Sequence, residues 1–253
     1  MIASFRTAIA FLTRIPIGRA DDEATIEVAP AWFPFVGASI GAFVGAVYAV
    51  AVRGLPRTVA AALALALAAL VTGGFHHDGL ADVADAFGGG HDRAQRLEIL
   101  RDPRHGTYGV LALVLVLLVQ FAALGSLGAA AGFAALVAAH ALGRSAAVAL
   151  ALVVAPARDS GLGAVVARTD RRPLAAAGVA SGAVITLFVA GPWGAVAVAV
   201  SALGVVAVGR LATAKIGGVV GDVLGAAEQV TETAVLVVAV AVTHADHLWP
   251  WWR

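Results

Sequence analysis

The sequence contains no cysteine, which removes disulfide bonds and thiolate metal sites from consideration. Charge is also scarce: 13% of the 253 residues are charged, against about 25% in an ordinary soluble domain. With 60% of its residues hydrophobic and a mean hydropathy of +0.91, the chain has lipid for its surroundings. Lysine occurs once, at Lys215, beside 16 arginines. A cleavable leader is not expected, because the apolar run from Thr7 to Leu12 between Arg6 and Arg14 is too short for one. Ile2, Phe5, Ile9 and Leu12 instead recur at helical spacing, which suits a helix lying along the membrane surface.

What the chain has in quantity is long apolar segments and 29 glycines. Seven segments approach the roughly 20 residues needed to cross a bilayer: Trp32–Val52, Thr58–Gly74, Gly109–Leu127, Ala129–Ala155, Leu174–Ala190, Gly194–Val208 and Val230–Thr243. The last two are short. The expected fold is all-α, a polytopic membrane protein of seven crossings plus short surface helices, in one domain over residues 1–253. Gly37, Gly41 and Gly45 form a stripe that lets a neighbouring helix approach closely, within the chain or in a homo-oligomer.

Seven crossings sort the polar segments onto two sides. Residues 1–31, 75–108, 156–173 and 209–232 carry 13 basic residues; the opposite side carries Arg53, Arg57 and Arg253, and Arg144 falls inside a span. The positive-inside rule places the richer side, with the N-terminus and the polar loops, in the cytoplasm of a bacterium or archaeon. Fifteen of the 16 acids lie there too, and Trp249, Trp251 and Trp252 fall in the outer aromatic belt.

The sharpest motif is Thr72-Gly-Gly-Phe-His-His-Asp-Gly-Leu-Ala-Asp-Val-Ala-Asp85. Asp78, Asp82 and Asp85 share one face of a helix and repel one another unless a cation sits among them. Magnesium suits such a site, since it takes carboxylate oxygens and keeps waters that substrate phosphates displace. A solvated acidic face is the alternative. His76 and His77 can orient a carboxylate or act as a base near neutral pH, or can hydrogen-bond at an interface. Further on, Asp92 and Gln95 have the form of a capping box. The following run, Arg101-Asp-Pro-Arg-His-Gly-Thr-Tyr-Gly109, offers Arg101 and Arg104 as a phosphate clamp, with lipid-headgroup anchoring as the rival reading.

In Lys215-Ile-Gly-Gly-Val-Val-Gly-Asp222, a lysine beside glycines can reach a phosphate, though the Walker order is absent. Asp222 adds a carboxylate, and Glu228 and Glu232 share a helical face; the alternative is a glycine hinge with solvated acids. His140 and Arg144 stand four residues apart inside the fourth segment, where buried charge marks either a functional contact or an internal ion pair. Arg14, at the end of the surface helix, is placed to face substrate.

Together these motifs resemble the cobalamin synthase family, the adenosylcobinamide-GDP ribazoletransferases. Phe11-Leu-Thr-Arg-Ile-Pro16, Phe33-Pro-Phe-Val-Gly37, Thr72–Asp85, Glu98-Ile-Leu-Arg-Asp102 through Gly109, Gly143-Arg144, and Gly217 to Ala226 match in the family's order across nearly the whole chain. His77 stands where an aliphatic residue is usual, and Pro103 where serine is.

The resemblance implies a magnesium-dependent integral membrane enzyme of the late nucleotide-loop assembly of vitamin B12. It moves the cobinamide-phosphate moiety of adenosylcobinamide-GDP onto the ribose hydroxyl of α-ribazole or its 5′-phosphate; GMP leaves and adenosylcobalamin or its 5′-phosphate forms. Mg2+ then belongs with Asp78, Asp82, Asp85 and Asp222. The diphosphate and other substrate groups belong with Arg104, Lys215, Arg14, Arg101 and Arg144. Catalysis belongs with Asp82, Asp78 and His76, with His76 or a spare carboxylate as general base. The expected partners are these substrates and the lipid bilayer, with no nucleic acid.

Two rivals are weaker. A CDP-alcohol phosphotransferase would carry D-G-x-x-A-R, which is missing. A transporter would place polar residues near the bilayer midplane, whereas this sequence reads them into loops on one side.

Overall fold

The computed structural model describes residues 1–18, 23–158, 164–166 and 170–244. A surface helix α1 (Ile2–Leu12) leads to a short α2 (Glu23–Val28) and a tight 3₁₀ turn over Ala29–Trp32. Then come α3 (Phe33–Ala51), α4 (Arg57–Thr72), α5 (Phe75–Gly89), α6 (Arg93–Ile99), α7 (Thr107–Ser126), α8 (Ala129–Val153), α9 (Arg172–Ala190), α10 (Pro192–Ile216) and α11 (Gly221–His244). The described residues hold no strand beyond an isolated bridge between Pro156 and Val219.

Six helices, α3 and α7 to α11, are each long and apolar enough to cross a membrane, while α4 and α5 qualify jointly but meet at 91°. Of that pair, α4 is the part that runs between the two ends of the bundle. Its first residues lie near Gly125, where a Cβ would stand 3.5 Å from Thr58. Tyr48 marks the same end of the bundle by donating to the carbonyls of Leu124 and Leu127 at 2.7 Å. The last turn of α4 reaches the other end, where the Arg14 N–H donates to Val71 O at 2.8 Å. All seven predicted segments are thus helical, and α4 reaches from one end of the bundle to the other.

One boundary needs correction. The segment 209–232 is not a loop, because α10 continues to Ile216 and α11 starts at Gly221. Glu228 and Glu232 therefore lie inside the last crossing. Their charge lowers local hydropathy and shortened the predicted span, but partners from α5 and α8 meet it, so the helix continues. The polar residues are consequently not all in surface loops.

Packing follows the logic of a membrane, where lipid is as apolar as leucine and small side chains bring helices together. The central α8 buries Ala134, Ala135, Ala138, Ala139, Ala141 and Ala146 against α3, α9, α10 and α11. The large side chains point outward, as Leu111, Leu115 and Leu118 do on α7. The Gly37–Gly41–Gly45 stripe is spent within the chain: Cβ atoms there would run into the α8 backbone at His140, Leu136 and Phe133. The expected aromatic belt of Trp249, Trp251 and Trp252 lies outside the described residues.

The segments that the charge count groups together meet at one end. Ala157 N–H donates to Val219 O at 2.8 Å and Val219 N–H to Ala155 O at 2.9 Å, tying the exit of α8 to the α10–α11 link. There α6 turns its arginines to the end of α10: Arg93 Nε donates to Ile216 O at 2.8 Å, and Arg96 Nη1 to Lys215 O at 3.2 Å. Cations satisfying the last carbonyls of a helix complement its negative end. The predicted cap of α6 is present, with Asp92 accepting from Gln95 N–H at 2.9 Å and Gln95 accepting from His91 N–H at 2.8 Å.

Candidate active site

The site is organised by α5, which leaves α4 through two glycines with positive φ, Gly73 (+70°) and Gly74 (+68°). Left-handed backbone at two successive residues ends one helix and starts another at a steep angle, and glycine adopts it at no steric cost. The side chain of Arg14 lies over Gly73 in the space a Cβ would need. It therefore stands at the start of α5, five residues before Asp78.

Asp78 and Asp82 lie one turn apart on the outer face of α5. Between them sits His105, with Nε2 3.5 Å from Asp78 Oδ1 and Nδ1 3.5 Å from Asp82 Oδ1. One ligand atom from each falls within 4.8 Å of the others, a spacing that can hold a metal ion. The side chains are 62%, 17% and 41% exposed for Asp78, Asp82 and His105, so the group is open to a substrate from outside. Burial and the neighbouring Asp78 push the Asp82 carboxyl above its ordinary range, with His105 opposing. Crowded carboxylates of this kind are relieved by a cation, and their oxygens are the donors magnesium takes.

Asp85 does something else. Its oxygens accept the N–H groups of Gly106 at 2.6 Å and Gly109 at 2.9 Å, the cap and first turn of α7. The expectation that Asp85 joins the metal ligands is therefore corrected: both oxygens are committed to the positive end of a helix. Gly106 and Gly109 lack side chains because a Cβ at either would collide with this carboxylate.

Asp222 approaches from α11. Gly79 lets the helices touch, since a Cβ there would stand 2.8 Å from Asp222 O and 3.0 Å from its Cα. Gly225 does the same from the other side, at 3.3 Å from the His76 Cα. Asp222 thereby sits within electrostatic reach of Asp82, Asp78 and Arg158. Of the four predicted metal carboxylates, Asp78 and Asp82 thus come together, and Asp222 lies within electrostatic reach of both.

The predicted cations are distributed around this group rather than in it. Arg104 is exposed and engaged with Asp102, from its Nε at 2.9 Å and Nη2 at 2.6 Å; these bonds hold the Asp102 carboxyl down to about 2. Arg101 is also exposed and stands near Arg158. Lys215 points Nζ at Phe87 O, 3.4 Å away, near the C-terminal end of α5. At 1.5 Å rise per residue that is about 7.5 Å along the helix from Asp82.

Below the crossing of α5 and α11 lies a second, buried polar group. Arg144, 1% exposed, pairs through Nη1 with Glu228 and Glu232, which are 0% and 6% exposed. His140 Nδ1 lies 2.5 Å from Glu232 Oε1, and His76 Nδ1 lies 3.3 Å from Glu228 Oε1. Gln229 donates to Glu228 Oε2 at 2.8 Å and is reached in turn by Gln120 at 3.3 Å. Of the two readings of Arg144, the internal ion pair is the one present, and a guanidinium so engaged is not free to clamp a phosphate. His76 faces this interior group, not the outer carboxylates, which corrects its expected role as general base.

Two site residues went unnoticed in the sequence. His105 lies in the quoted run 101–109, but only the Asp85–Gly106 contact turns it over Asp78 and Asp82. Arg158 donates to Leu97 O at 2.8 Å from a segment without a motif; burial and Arg101 pull its guanidinium below the ordinary value.

Residues 4–240 match the family model described as cobalamin-5-phosphate synthase. The chain is 40% identical over 245 residues to an adenosylcobinamide-GDP ribazoletransferase of Bradyrhizobium diazoefficiens, covering 95% of this chain and 94% of that protein. It is 41% identical over 244 residues to one of Ralstonia nicotianae, covering 93% and 94%. With one of Mesorhizobium japonicum it shares 42% over 236 residues, covering 91% and 90%. No solved structure matches the chain.

Proposed function

The chain belongs to the cobalamin-5-phosphate synthase family and is an adenosylcobinamide-GDP ribazoletransferase by that kinship; we propose that the outer carboxylate group on α5 and α11 is where it joins its two substrates. The ribose hydroxyl of α-ribazole, or of its 5′-phosphate, attacks the phosphorus that carries cobinamide. A new P–O bond forms, the diphosphate P–O bond breaks, and GMP leaves. The observation that carries this reading is the convergence of Asp78, Asp82 and His105, with Asp222 beside them, where α5 leaves the membrane-crossing part of the bundle.

Asp78, Asp82 and Asp222 are the residues that would hold magnesium, which supplies charge neutralisation for the diphosphate. Imidazole is a poor magnesium ligand beside three carboxylates. His105, between Asp78 and Asp82, is thus the group left to take the proton of the attacking hydroxyl. Arg14 at the start of α5 and Lys215 near its end flank the acids and are placed to receive the phosphates of the two substrates. Arg101 and Arg104 form the outer rim, where Arg104 exchanges Asp102 for a phosphate when substrate arrives.

The bundle crosses the plasma membrane with this end in the cytoplasm, where the basic residues are concentrated. Release of GMP from adenosylcobinamide-GDP and α-ribazole by purified protein, with and without magnesium, tests the whole reading. Turnover that persists after complete chelation of divalent ions would remove the metal from it.

A further inference from the structure

We propose that the buried ion-pair group of His76, Glu228, Arg144, Glu232 and His140 is a positioning device, which sets the rotation and depth of α5 against α11 so that Asp78 and Asp82 meet Asp222. The inference rests on the catalytic reading above, but its residues touch no substrate.

The geometry places the tie on the inner side of the same crossing whose outer side is the site. His76 is two residues before Asp78, and Glu228 is six residues after Asp222. Their contact closes a ring with the outer acids across the Gly79 and Gly225 crossing. Two glycine surfaces in contact are smooth and carry no directional preference, so by themselves they let α5 slide or roll. A hydrogen-bonded charge pair is directional. Rolling α5 by one residue would turn Asp78 about 100° away from His105, and sliding it by one would move the acids about 1.5 Å.

Adhesion alone does not account for this group. Apolar side chains would hold the helices together at least as well, because burying charge carries a large desolvation cost that the pairing only offsets. Two carboxylates, a guanidinium and two imidazoles in the interior are therefore retained for what apolar packing cannot supply, a fixed register. Arg144 and His140 anchor that register to α8, the most enclosed helix of the bundle.

The test uses the full-length protein in detergent and measures three things on each variant: Mn2+ binding by electron paramagnetic resonance, GMP release, and the thermal unfolding midpoint. Glu228→Gln keeps the shape of the side chain but replaces with an amide the carboxyl group that Arg144 and His76 meet. It is expected to bind Mn2+ about tenfold more weakly and to lose about 100-fold in kcat, with KM for adenosylcobinamide-GDP changing little, since an error of about 1 Å in a reacting group is enough for such a loss. His76→Gln should do the same from the other side. Tyr48→Phe, at the opposite end, supplies the comparison: it should lower the unfolding midpoint and leave Mn2+ binding and kcat alone.

Should the single variants not fold, the triple variant Arg144→Met/Glu228→Leu/Glu232→Leu replaces the buried charges with apolar groups of similar size. It is expected to fold and still to lose Mn2+ affinity. Variants that bind Mn2+ and turn over like the parent, whatever their unfolding midpoints, overturn the inference alone. A parent protein that binds no Mn2+ overturns the metal site first and this inference with it.

Discussion

The Asp85 carboxylate accepts the backbone N–H of Gly106 at 2.6 Å, and that bond fixes the position of His105, the next residue back along the chain. A second bond, from Gly109 at 2.9 Å, holds the first turn of α7 to the same carboxylate. One acidic side chain on α5 therefore places the imidazole that faces its two neighbours.

From this arrangement, Asp82→Ala and Asp85→Ala should fail in different ways. Asp82→Ala removes a metal oxygen: GMP release should fall at least 100-fold, the Mn2+ signal should weaken, and the unfolding midpoint should hold or rise as repulsion with Asp78 is relieved. Asp85→Ala strips two bonds to a charged group from a helix terminus, a loss of about 2–4 kcal/mol in stability. Its unfolding midpoint should drop while Mn2+ binding persists. Matching profiles for the two variants would contradict the division of roles.

His105→Gln keeps a polar side chain of similar reach but removes the titrating group. A general base contributes about 10²–10⁴-fold to rate, so kcat should fall by that much with Mn2+ affinity changed little. A tenfold or greater loss of Mn2+ binding would instead make His105 a ligand.

Gly79→Ala tests the contact between α5 and α11. Alanine favours a helix by about 1 kcal/mol over glycine. Here its methyl would stand 2.8 Å from Asp222 O, and overpacking costs about 1–3 kcal/mol. Activity should fall sharply with a lower unfolding midpoint; a variant that gained stability and kept its turnover would show that the helices are not in contact.

Orientation is open to direct measurement. With α4 counted as a crossing and α5 not, a reporter fused after residue 253 should be active outside the cytoplasm, and one inserted after Gly90 should be active inside. A cytoplasmic signal from the C-terminal fusion would remove one crossing.

Hydropathy reached the architecture because a membrane imposes it: each crossing must satisfy its own backbone, so apolar length reads directly as helix. All seven segments are present as helices, and carboxylate spacing singled out Thr72–Asp85 as the candidate site. The same spacing also misled. Asp85 lies on the acidic stripe with Asp78 and Asp82, and helical periodicity cannot tell a carboxylate that faces outward from one that meets the next helix's amide groups. Charge misled likewise at Glu228 and Glu232, which share a helical face but were placed on the cytoplasmic side of the last crossing, because their partners His76, His140 and Arg144 lie as much as 152 residues away in sequence, from 76 to 228.

The sequence by itself determined that this chain is an all-α membrane protein with several crossings, and it singled out the aspartates after the second apolar segment as candidates for the site; each follows from composition and local period. Which carboxylates face one another, which histidine joins them, and which charges are sealed inside depend on how α5, α8 and α11 cross. Those contacts link residues remote in the chain through glycines that leave room for them, and only the packed bundle decides them.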